Sequence, residues 1–353
     1  MNTKPVLVLP LLAAALLGAA RQPADDLSFH VKSGTSLTRS FESRQEISLD
    51  DAEILLNGQP FPSGKRGGMT AIQGKALEIG DEFVEVENGA PRKLRRTFDK
   101  IESTGEQTTE NPMDSGDQTD TWHAKSELAG KTVVFDWEEA KSQFKKSFDP
   151  EGPDSKLADG LVEDLDFRSL LPAKGKASED ESWKIDVSAI QALFLPGGDL
   201  VLRPVEAPEG EDEDDEPVGL LSESPTEAFK GLTGEVEATY KGTREVDGVS
   251  CGVIALEFKV SATRELPGRQ PKAKGKDSEL QVERLKAFLS LEGEGELIWD
   301  LSGGYARSFN ASAKIKNQLE IPMKVANGDK TMDITRKMQM SGSYELKVAV
   351  AKR

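Results

Sequence analysis

The chain has 353 residues, with 45 lysines and arginines against 62 aspartates and glutamates, and its formal net charge is −17 at pH 7. So acidic a balance argues against binding to nucleic acid or to an anionic membrane surface, because both carry negative charge. Cys251 is the only cysteine. An intramolecular disulfide is therefore excluded, and the fold has to rest on its apolar core.

Residues 1–20 have the pattern of a secretory signal peptide. A lysine at position 4 precedes an apolar run, and small residues occupy positions 18–20. The run is interrupted by prolines and is shorter than the about 20 residues that span a membrane. No cysteine, the acceptor of a lipoprotein anchor, follows it. We therefore expect an exported protein, periplasmic or extracellular, with no transmembrane segment in the mature chain.

Alternating apolar and polar residues begin soon after this leader and predict long one-sided strands. The apolar residues of the first run share one parity: Leu27, Phe29, Val31, Leu37 and Phe41. Asn57-Gly58 and Asn88-Gly89 are typical of hairpin turns. We expect residues 21–203 to form an N-terminal β-rich lobe.

One compact basic cluster follows the second of these turns. It consists of Arg92, Lys93, Arg95 and Arg96. Acidic residues at positions 85 and 87 stand close by in the sequence, so we interpret the cluster as a solvated strand face. A docking site for an acidic partner is the alternative.

From Asp154 onward the apolar residues change to helical spacing. Leu157, Leu161, Val162 and Leu165 fall at helical intervals, and a proline at position 172 follows. This pattern predicts a helix near residues 155–170, with Asp154 as its cap. A helix with one apolar stripe fits the concave side of a curved one-sided sheet. Apolar residues at positions 187, 190 and 194 suggest a further helical turn or two.

Residues 204–230 are acidic and rich in proline, and we expect a linker or a long exposed loop there. Consecutive carboxylates run from Glu211 to Glu216. Contiguous like charges repel one another and stay solvated, whereas a site for Ca²⁺ needs spaced ligands and a defined turn. The run therefore predicts no metal site.

Residues 231–353 form the C-terminal lobe and end in three alternations, each roughly three times the usual strand length of about 5–6 residues. They run from Leu285 to Leu301, from Tyr305 to Ile321 and from Met332 to Val350. These patterns predict an α+β fold that is mostly β, with a long antiparallel meander, strongly curved or a half-barrel, packed on one or two helices. A partly closed barrel and a sheet running through two domains are the alternatives.

Two turns set the expected register of this meander. Pairing about residues 302–304 places Leu301 opposite Tyr305 and Gly293 opposite Ala313, and pairing about Asn327-Gly328 places Ala313 opposite Gly342. A row of small residues then marks a bend or a place where another segment presses close. We take the apolar residues around this row as a candidate binding site: Gly293, Gly295, Trp299, Phe309, Ala313, Gly342 and Tyr344.

The sequence offers little material for catalysis. Its two histidines, His30 and His123, fall on a polar strand position and at the end of a polar loop. No nucleophile elbow, phosphate-binding glycine loop or zinc-protease motif is present. We assign no catalytic residue, no metal ligand and no cofactor, and we expect the protein not to be an enzyme.

A set of short segments rich in turn residues extends over the second half of the chain. They are Leu170-Leu171-Pro172, Glu181-Ser182-Trp183, Tyr240-Lys241-Gly242, Asp247-Gly248-Val249-Ser250-Cys251, residues 295–300 and Gly303-Gly304. Their spacing resembles a class of uncharacterised bacterial secreted proteins and lipoproteins, over Leu157 to Val350. The resemblance implies an exported β-rich protein. By analogy of fold, half-barrels of long strands wrapped on a helix are similar to periplasmic carriers of lipid or lipoprotein.

Two functions fit these patterns. In the first, the apolar face is filled by the chain's own helix, and the protein is a structural or interaction module of the envelope with an unknown protein partner. In the second, the concave face is open and binds or carries a lipid or another hydrophobic segment. We favour the first, because a filled core needs no ligand.

Overall fold

A computed structural model describes residues 24–61, 68–110, 116–152, 155–205, 229–266, 278–282, 284–327 and 330–353. The expected leader, the helix cap at Asp154, the acidic run from Glu211 to Glu216 and Gly328 lie outside these ranges. Within them the chain is dominated by β-strands. The strands are β1 Asp25–Asp26, β2 Thr35–Leu56, β3 Gln59–Pro60, β4 Met69–Glu87, β5 Ala90–Thr109, β6 Gln118–Ser126, β7 Thr132–Glu138, β8 Gln143–Phe148, β9 Lys176–Ala177, β10 Ser182–Lys184, β11 Leu202–Pro204, β12 Thr233–Val246, β13 Val249–Leu266, β14 Ser278–Val282, β15 Leu285–Asp300, β16 Tyr305–Asn327 and β17 Lys330–Lys352.

A single antiparallel sheet of 15 strands organises the molecule. Its main path runs β10-β12-β13-β15-β16-β17-β2-β4-β5-β6-β11, with β3, β7, β8 and β14 attached to the sides, while β1 pairs with β9 separately. β17 pairs with β2 along nearly its whole length. The expected N-terminal and C-terminal lobes therefore share one continuous sheet. Its two ends, β10 and β11, do not pair with each other, so the sheet is open.

The three long alternations are confirmed as β15, β16 and β17, and part of their expected register is confirmed as well. Gly293 lies opposite Ala313. Leu301 does not pair with Tyr305, because an irregularity between Ile298 and Trp299 shifts the pairing so that Asp300 faces Tyr305. The pattern of a one-sided meander thus predicts the strands, while a local bulge changes their last pairs.

The expected pairing of Ala313 with Gly342 is wrong. Asn327 pairs with Lys330, so every partner moves by two relative to the register expected from Asn327-Gly328. Ala313 consequently faces Tyr344, and Gly342 lies opposite Ile315. A shift of two preserves the face on which each side chain lies, which is why the one-sided pattern survives the error.

Backbones nevertheless approach closely at these glycines. A Cβ atom on Gly342 would lie 1.9 Å from the carbonyl oxygen of Glu46 in β2, and one on Gly293 would lie 2.2 Å from the carbonyl oxygen of Ser312 in β16. Only glycine fits such an approach without a shift of the neighbouring strand.

The inner face of the sheet is covered in part by the chain between β8 and β11. We call residues 155–201 the interior segment; it contains β9, β10 and the four-residue helix α1, Gln191–Phe194. Phe167 of this segment packs on Phe309 with ring centroids 4.7 Å apart, and Phe194 packs on Tyr344 at 4.5 Å. Since β10 and β11 lie at opposite ends of the sheet path, residues 185–201 connect its two edges across the inner face.

Contacts of α1 show that the sheet curves around this segment. Phe194 also contacts Phe258 of β13, and a Cβ on Gly197, three residues later, would lie 3.7 Å from Leu77 of β4. β13 and β4 are five strand spacings apart in the sheet path, which is about 24 Å in a flat sheet. Neighbouring residues of one short segment reach both strands only because the sheet is curved.

The expected helix near residues 155–170 is not formed. The structure has 3-10 turns at Ser155–Ala158 and Arg168–Leu170 instead, although Leu157, Leu161 and Leu165 are buried as their spacing suggests. Two side chains explain the difference. The guanidinium of Arg96 donates to the carbonyl oxygens of residues 162 and 163, and the carboxylate of Asp164 accepts from the backbone N–H groups of residues 166 and 168. A helix needs these backbone groups for its own hydrogen bonds.

The helical spacing at positions 187, 190 and 194 is confirmed by a 3-10 turn, Val187–Ile190, which leads into α1. Asp186 precedes the turn, and its side chain accepts a hydrogen bond from the backbone N–H of Ser188. In the described part of the chain, no helix has both the length and the apolar character needed to cross a membrane.

We expect Gly342→Ala to destabilise the protein by about 1–3 kcal/mol, because its Cβ would overlap the backbone of β2. Gly74→Ala is the matched control in β4, where a Cβ would lie 3.5 Å from the nearest atom, the hydroxyl of Thr104. Urea unfolding of both variants measures the difference. Equal stabilities of the two variants would contradict the close approach at Gly342.

Candidate functional site

The residues proposed from the sequence lie mostly beneath the interior segment. Trp299, Phe309, Ala313 and Tyr344 are buried, and the backbone glycines at positions 293, 295 and 342 are partly exposed. Phe309 is covered by Phe167, and the Tyr344 hydroxyl donates a 2.8 Å hydrogen bond to the carbonyl oxygen of Leu193. This part of the inner face is therefore filled by the chain itself.

Beyond α1 the inner face continues and forms a partly open cavity of about 470 Å³. Phe194, Leu195 and Phe229 form one side of it, and the strands form the rest. One wall is mainly apolar and comes from β13, β15 and β16, with Arg264 and Asn317 as its polar members. Its apolar residues are Ala262, Leu266, Ala287, Phe288, Leu289, Leu291, Ile315 and Leu319. Of the seven sequence-proposed residues, Tyr344 also lines this cavity.

The opposite wall is polar and comes from β2 and β4. It is formed by Ser43, Gln45, Gln73 and Lys75, which continue the inward-facing positions of Phe41 in β2 and Leu77 in β4. Gln73 is held by its amide, which donates a 3.1 Å hydrogen bond to the Ser103 hydroxyl. The cavity is thus amphipathic, with an apolar wall facing a wall of hydroxyl, amide and ammonium groups.

Lys75 is the unusual member of this wall. Burial lowers the pKa of its ammonium group. Its ammonium makes no hydrogen bond or ion pair within the described residues, whereas Arg264, the other cation that lines the cavity, does interact with a neighbour. Among the described residues, none that lines the cavity is acidic. In a chain of net charge −17, the charged groups on this described lining are all positive.

A buried ion cluster holds the interior segment against the sheet next to this site. On the sheet side, Asp81 of β4 accepts from Arg39 of β2 at 2.6 Å and from Arg96 of β5 at 2.7 and 2.9 Å. All three side chains are almost completely buried. The interpretation of Arg96 as part of a solvated basic face is therefore wrong. Because side chains alternate along β5, Arg96 points inward with Leu94 and Phe98, while Lys93 and Arg95 point outward. Arg92, Lys93 and Arg95 form ion pairs at the surface.

On the segment side, Asp166 accepts from Arg39 at 2.7 Å. Arg168 pairs with Glu163 and, at 3.1 Å, with Asp164. Arg96 donates to two carbonyl oxygens of the segment at 2.6 and 2.7 Å. We use the name ion cluster for these seven side chains together: Arg39, Asp81, Arg96, Glu163, Asp164, Asp166 and Arg168.

The ion cluster contains one carboxylate more than it has guanidinium groups. Burial raises the pKa of Glu163 to about 7, against the opposing effect of the nearby Arg168. Burial likewise raises the pKa of Asp166, against the opposing effect of Arg39. A proton on Glu163 balances the charges of the ion cluster, which is favourable because burial penalises an uncompensated charge.

Sequence reasoning missed Lys75, Arg39 and Arg96, although one signal points to them. Each is a cation at an inward-facing position, next to a buried apolar residue two positions away along its strand. A positive side chain on the apolar face of a strand needs a partner. The alternation of side chains along the strand therefore identifies these cations as inward-facing, which the number of charges nearby in the sequence does not.

Comparison with known proteins gives no assignment. No family model matches the chain, and the search of curated proteins gave no match. Among solved structures, the crystal structure of Pseudomonas aeruginosa OccK11 (OpdR) aligns with 90% of this chain and 98% of its own, at 8% sequence identity and a TM-score of 0.13. A TM-score this low supports no conclusion about fold or function.

The raised pKa of Glu163 makes stability depend on pH. Between the unfolded value of 4.5 and about 7 the folded state binds the proton more tightly, so the contribution of Glu163 falls as pH rises through this window. Glutamine cannot ionise. We therefore expect the free energy of unfolding of Glu163→Gln, relative to that of the wild type, to increase by roughly 2–3 kcal/mol between pH 5 and pH 8. Chemical denaturation at both pH values measures this difference.

Glu82→Gln is the control for this experiment, because Glu82 is a half-exposed carboxylate that pairs with Arg95 at the surface. Its stability relative to the wild type should change little over the same pH range. A pH-independent difference for Glu163→Gln would show that Glu163 is already ionised at pH 5.

Proposed function

We propose that the protein is an exported binding module that holds the apolar chain of a lipid-like ligand in the cavity beyond α1. The observation that carries this proposal is the apolar cavity of about 470 Å³ on the inner face of the sheet. Small-molecule sites have volumes of about 300–1,000 Å³ and are lined mainly by apolar side chains with a few polar groups. The cavity has this size and this composition.

The energetics of the apolar wall favour an occupant. Its residues come from three adjacent strands and line an open space of about 470 Å³. Each square ångström of apolar surface that a ligand covers contributes about 25 cal/mol. An acyl chain covers such a wall without needing hydrogen bonds of its own, so it suits the aliphatic surface better than a polar ligand does.

The surroundings of the cavity favour a preformed site. Six strands of the sheet contribute to its walls, and Phe194 and Leu195 are fixed by the interior segment, which the ion cluster holds to β2, β4 and β5. Sites on rigid elements bind with a smaller loss of conformational entropy than sites that form on binding. The proposal places no catalytic step in this cavity.

A structural or interaction module is the second candidate. It is favoured by the interior segment, which covers Phe309 and Tyr344 and fills that part of the inner face without a ligand. The two candidate functions differ only in the role that they assign to the cavity. A module of this second type has no use for a chain-sized apolar space, whereas a binding module depends on it.

Native mass spectrometry of the protein purified without detergent distinguishes the candidates. We expect a bound species of lipid mass at up to one copy per chain, which organic extraction removes and a neutral apolar dye such as Nile red replaces. Extracted protein that binds neither Nile red nor a long-chain alcohol would overturn the proposal and leave the structural module.

Filling the cavity should abolish this binding. Ala287 is a small residue of the apolar wall, and Ala287→Phe places a ring in the space for the chain. We expect its affinity for Nile red to fall at least tenfold, as measured by fluorescence titration. Ala349→Phe, on an exposed position of β17, adds the same ring outside the cavity and should bind the dye as the wild type does.

A further inference from the structure

The polar wall of the cavity bears on the chemistry of the ligand, and this inference rests on the binding function proposed above. We propose that the cavity is specific for a single-chain anionic amphiphile, whose carboxylate or phosphate head group pairs with the ammonium group of Lys75 while its apolar chain lies on the wall formed by β13, β15 and β16.

The first step of the argument is a contrast among three inward-facing cations. Arg39 and Arg96 lie on the same face of the sheet as Lys75, in strands that flank β4. Both are matched within the protein by Asp81, and Arg39 also by Asp166. Lys75 has no such partner among the described residues and lines a cavity instead. The two arginines in the filled part of the inner face are thus paired with carboxylates, whereas the lysine at the cavity has no carboxylate partner among the described residues.

The second step concerns the groups beside Lys75. Ser43 lies directly opposite it on β2, and Gln45 and Gln73 line the same wall. Hydroxyl and amide groups donate hydrogen bonds to the oxygen atoms of a carboxylate or a phosphate. The Ser43 hydroxyl is hydrogen-bonded to Tyr344, so a head group seated at Lys75 meets one cation and the amide groups of Gln45 and Gln73, which is a suitable arrangement for an anion that has left water.

The third step concerns the sign of the charge. Lys75 and Arg264 line the cavity, and within the part of the chain that the structure describes no acidic side chain does. A cationic amphiphile would meet only like charge there, and a neutral one would leave the ammonium of Lys75 without a partner. An anionic head group compensates this charge, so a preference for anions follows from the composition of the wall.

Matched ligands with one chain length test the inference. Extracted protein is titrated with palmitate, hexadecyl phosphate, hexadecanol and hexadecyltrimethylammonium below their critical micelle concentrations, with displacement of Nile red as the signal. We expect palmitate or hexadecyl phosphate to bind at least tenfold more tightly than hexadecanol, and hexadecyltrimethylammonium to bind most weakly. The tighter of the two anions identifies the head group as a carboxylate or as a phosphate.

Replacing the cation should remove the preference and stabilise the empty protein. In Lys75→Met the side chain keeps nearly its length and loses its charge. We expect the affinity for the anions to fall at least tenfold and that for hexadecanol to stay the same or rise. The Tm of the empty protein should rise by about 2–4 °C, because the charge of this partly buried ammonium group, which has no partner among the described residues, is gone. Lys347→Met, on an exposed position of β17, should change none of these values.

The outcomes separate this inference from the proposed function. Equal binding of hexadecanol and palmitate by the wild type, or an unchanged preference in Lys75→Met, would overturn the anionic specificity while leaving an apolar binding site. Failure of every ligand, Nile red included, would overturn the binding function itself. A loss of anion binding in Lys75→Met together with a lower Tm would point to damage of the fold and would contradict the unpaired charge.

Discussion

The buried ion cluster is the constraint on which the rest of the inner face depends. Arg39 and Arg96 point into the interior from β2 and β5, and an ionised side chain there is tolerated only when it is paired and hydrogen-bonded. Asp81 of β4 supplies part of this compensation, and Asp166 with the carbonyl oxygens of residues 162 and 163 supplies the rest. Without the interior segment, the arginines on the inner face of the sheet would therefore lack part of their acceptors. The backbone of the segment is irregular because its carbonyl groups accept hydrogen bonds from Arg96 and not from a helix.

Strand length sets the second constraint. β16 and β17 have 23 residues each, which corresponds to about 75 Å of extended chain. The interior segment covers one part of the inner face, and a smaller apolar cluster of Leu266, Leu285, Ile321 and Met338 closes another part. The cavity is lined by residues of both clusters, including Ile315 from the first and Leu266 from the second. It exists because the sheet is longer than the segment that fills it.

The parts of the fold that depend on local pattern could be predicted from the sequence. Period-two alternation identifies β15, β16 and β17 as one-sided strands, and a short turn count gives the pairing of Gly293 with Ala313. The helix expected near residues 155–170 does not form, because Arg96, which is distant in sequence, hydrogen-bonds to a backbone carbonyl group of this segment. The cavity could not be predicted either, because its extent depends on the position of Phe194, which contacts between residues distant in sequence determine. Lys75 was recognisable by its inward parity, yet only the structure shows that it differs from Arg39 in having no partner among the described residues.

The choice of cation at these positions agrees with their different roles. A guanidinium group presents several donors in a fixed plane, so Arg39 and Arg96 each bind two or more acceptors whose positions the fold determines. The ammonium of Lys75 is a compact charge on a flexible stem, and it can follow an acceptor that the fold does not position. An unpaired charge lowers the stability of the empty protein, and an anionic occupant removes that penalty by binding only the folded state. Stability without ligand and selectivity for an anion are therefore opposed at this one residue, which is typical of a binding site and unusual in a structural core.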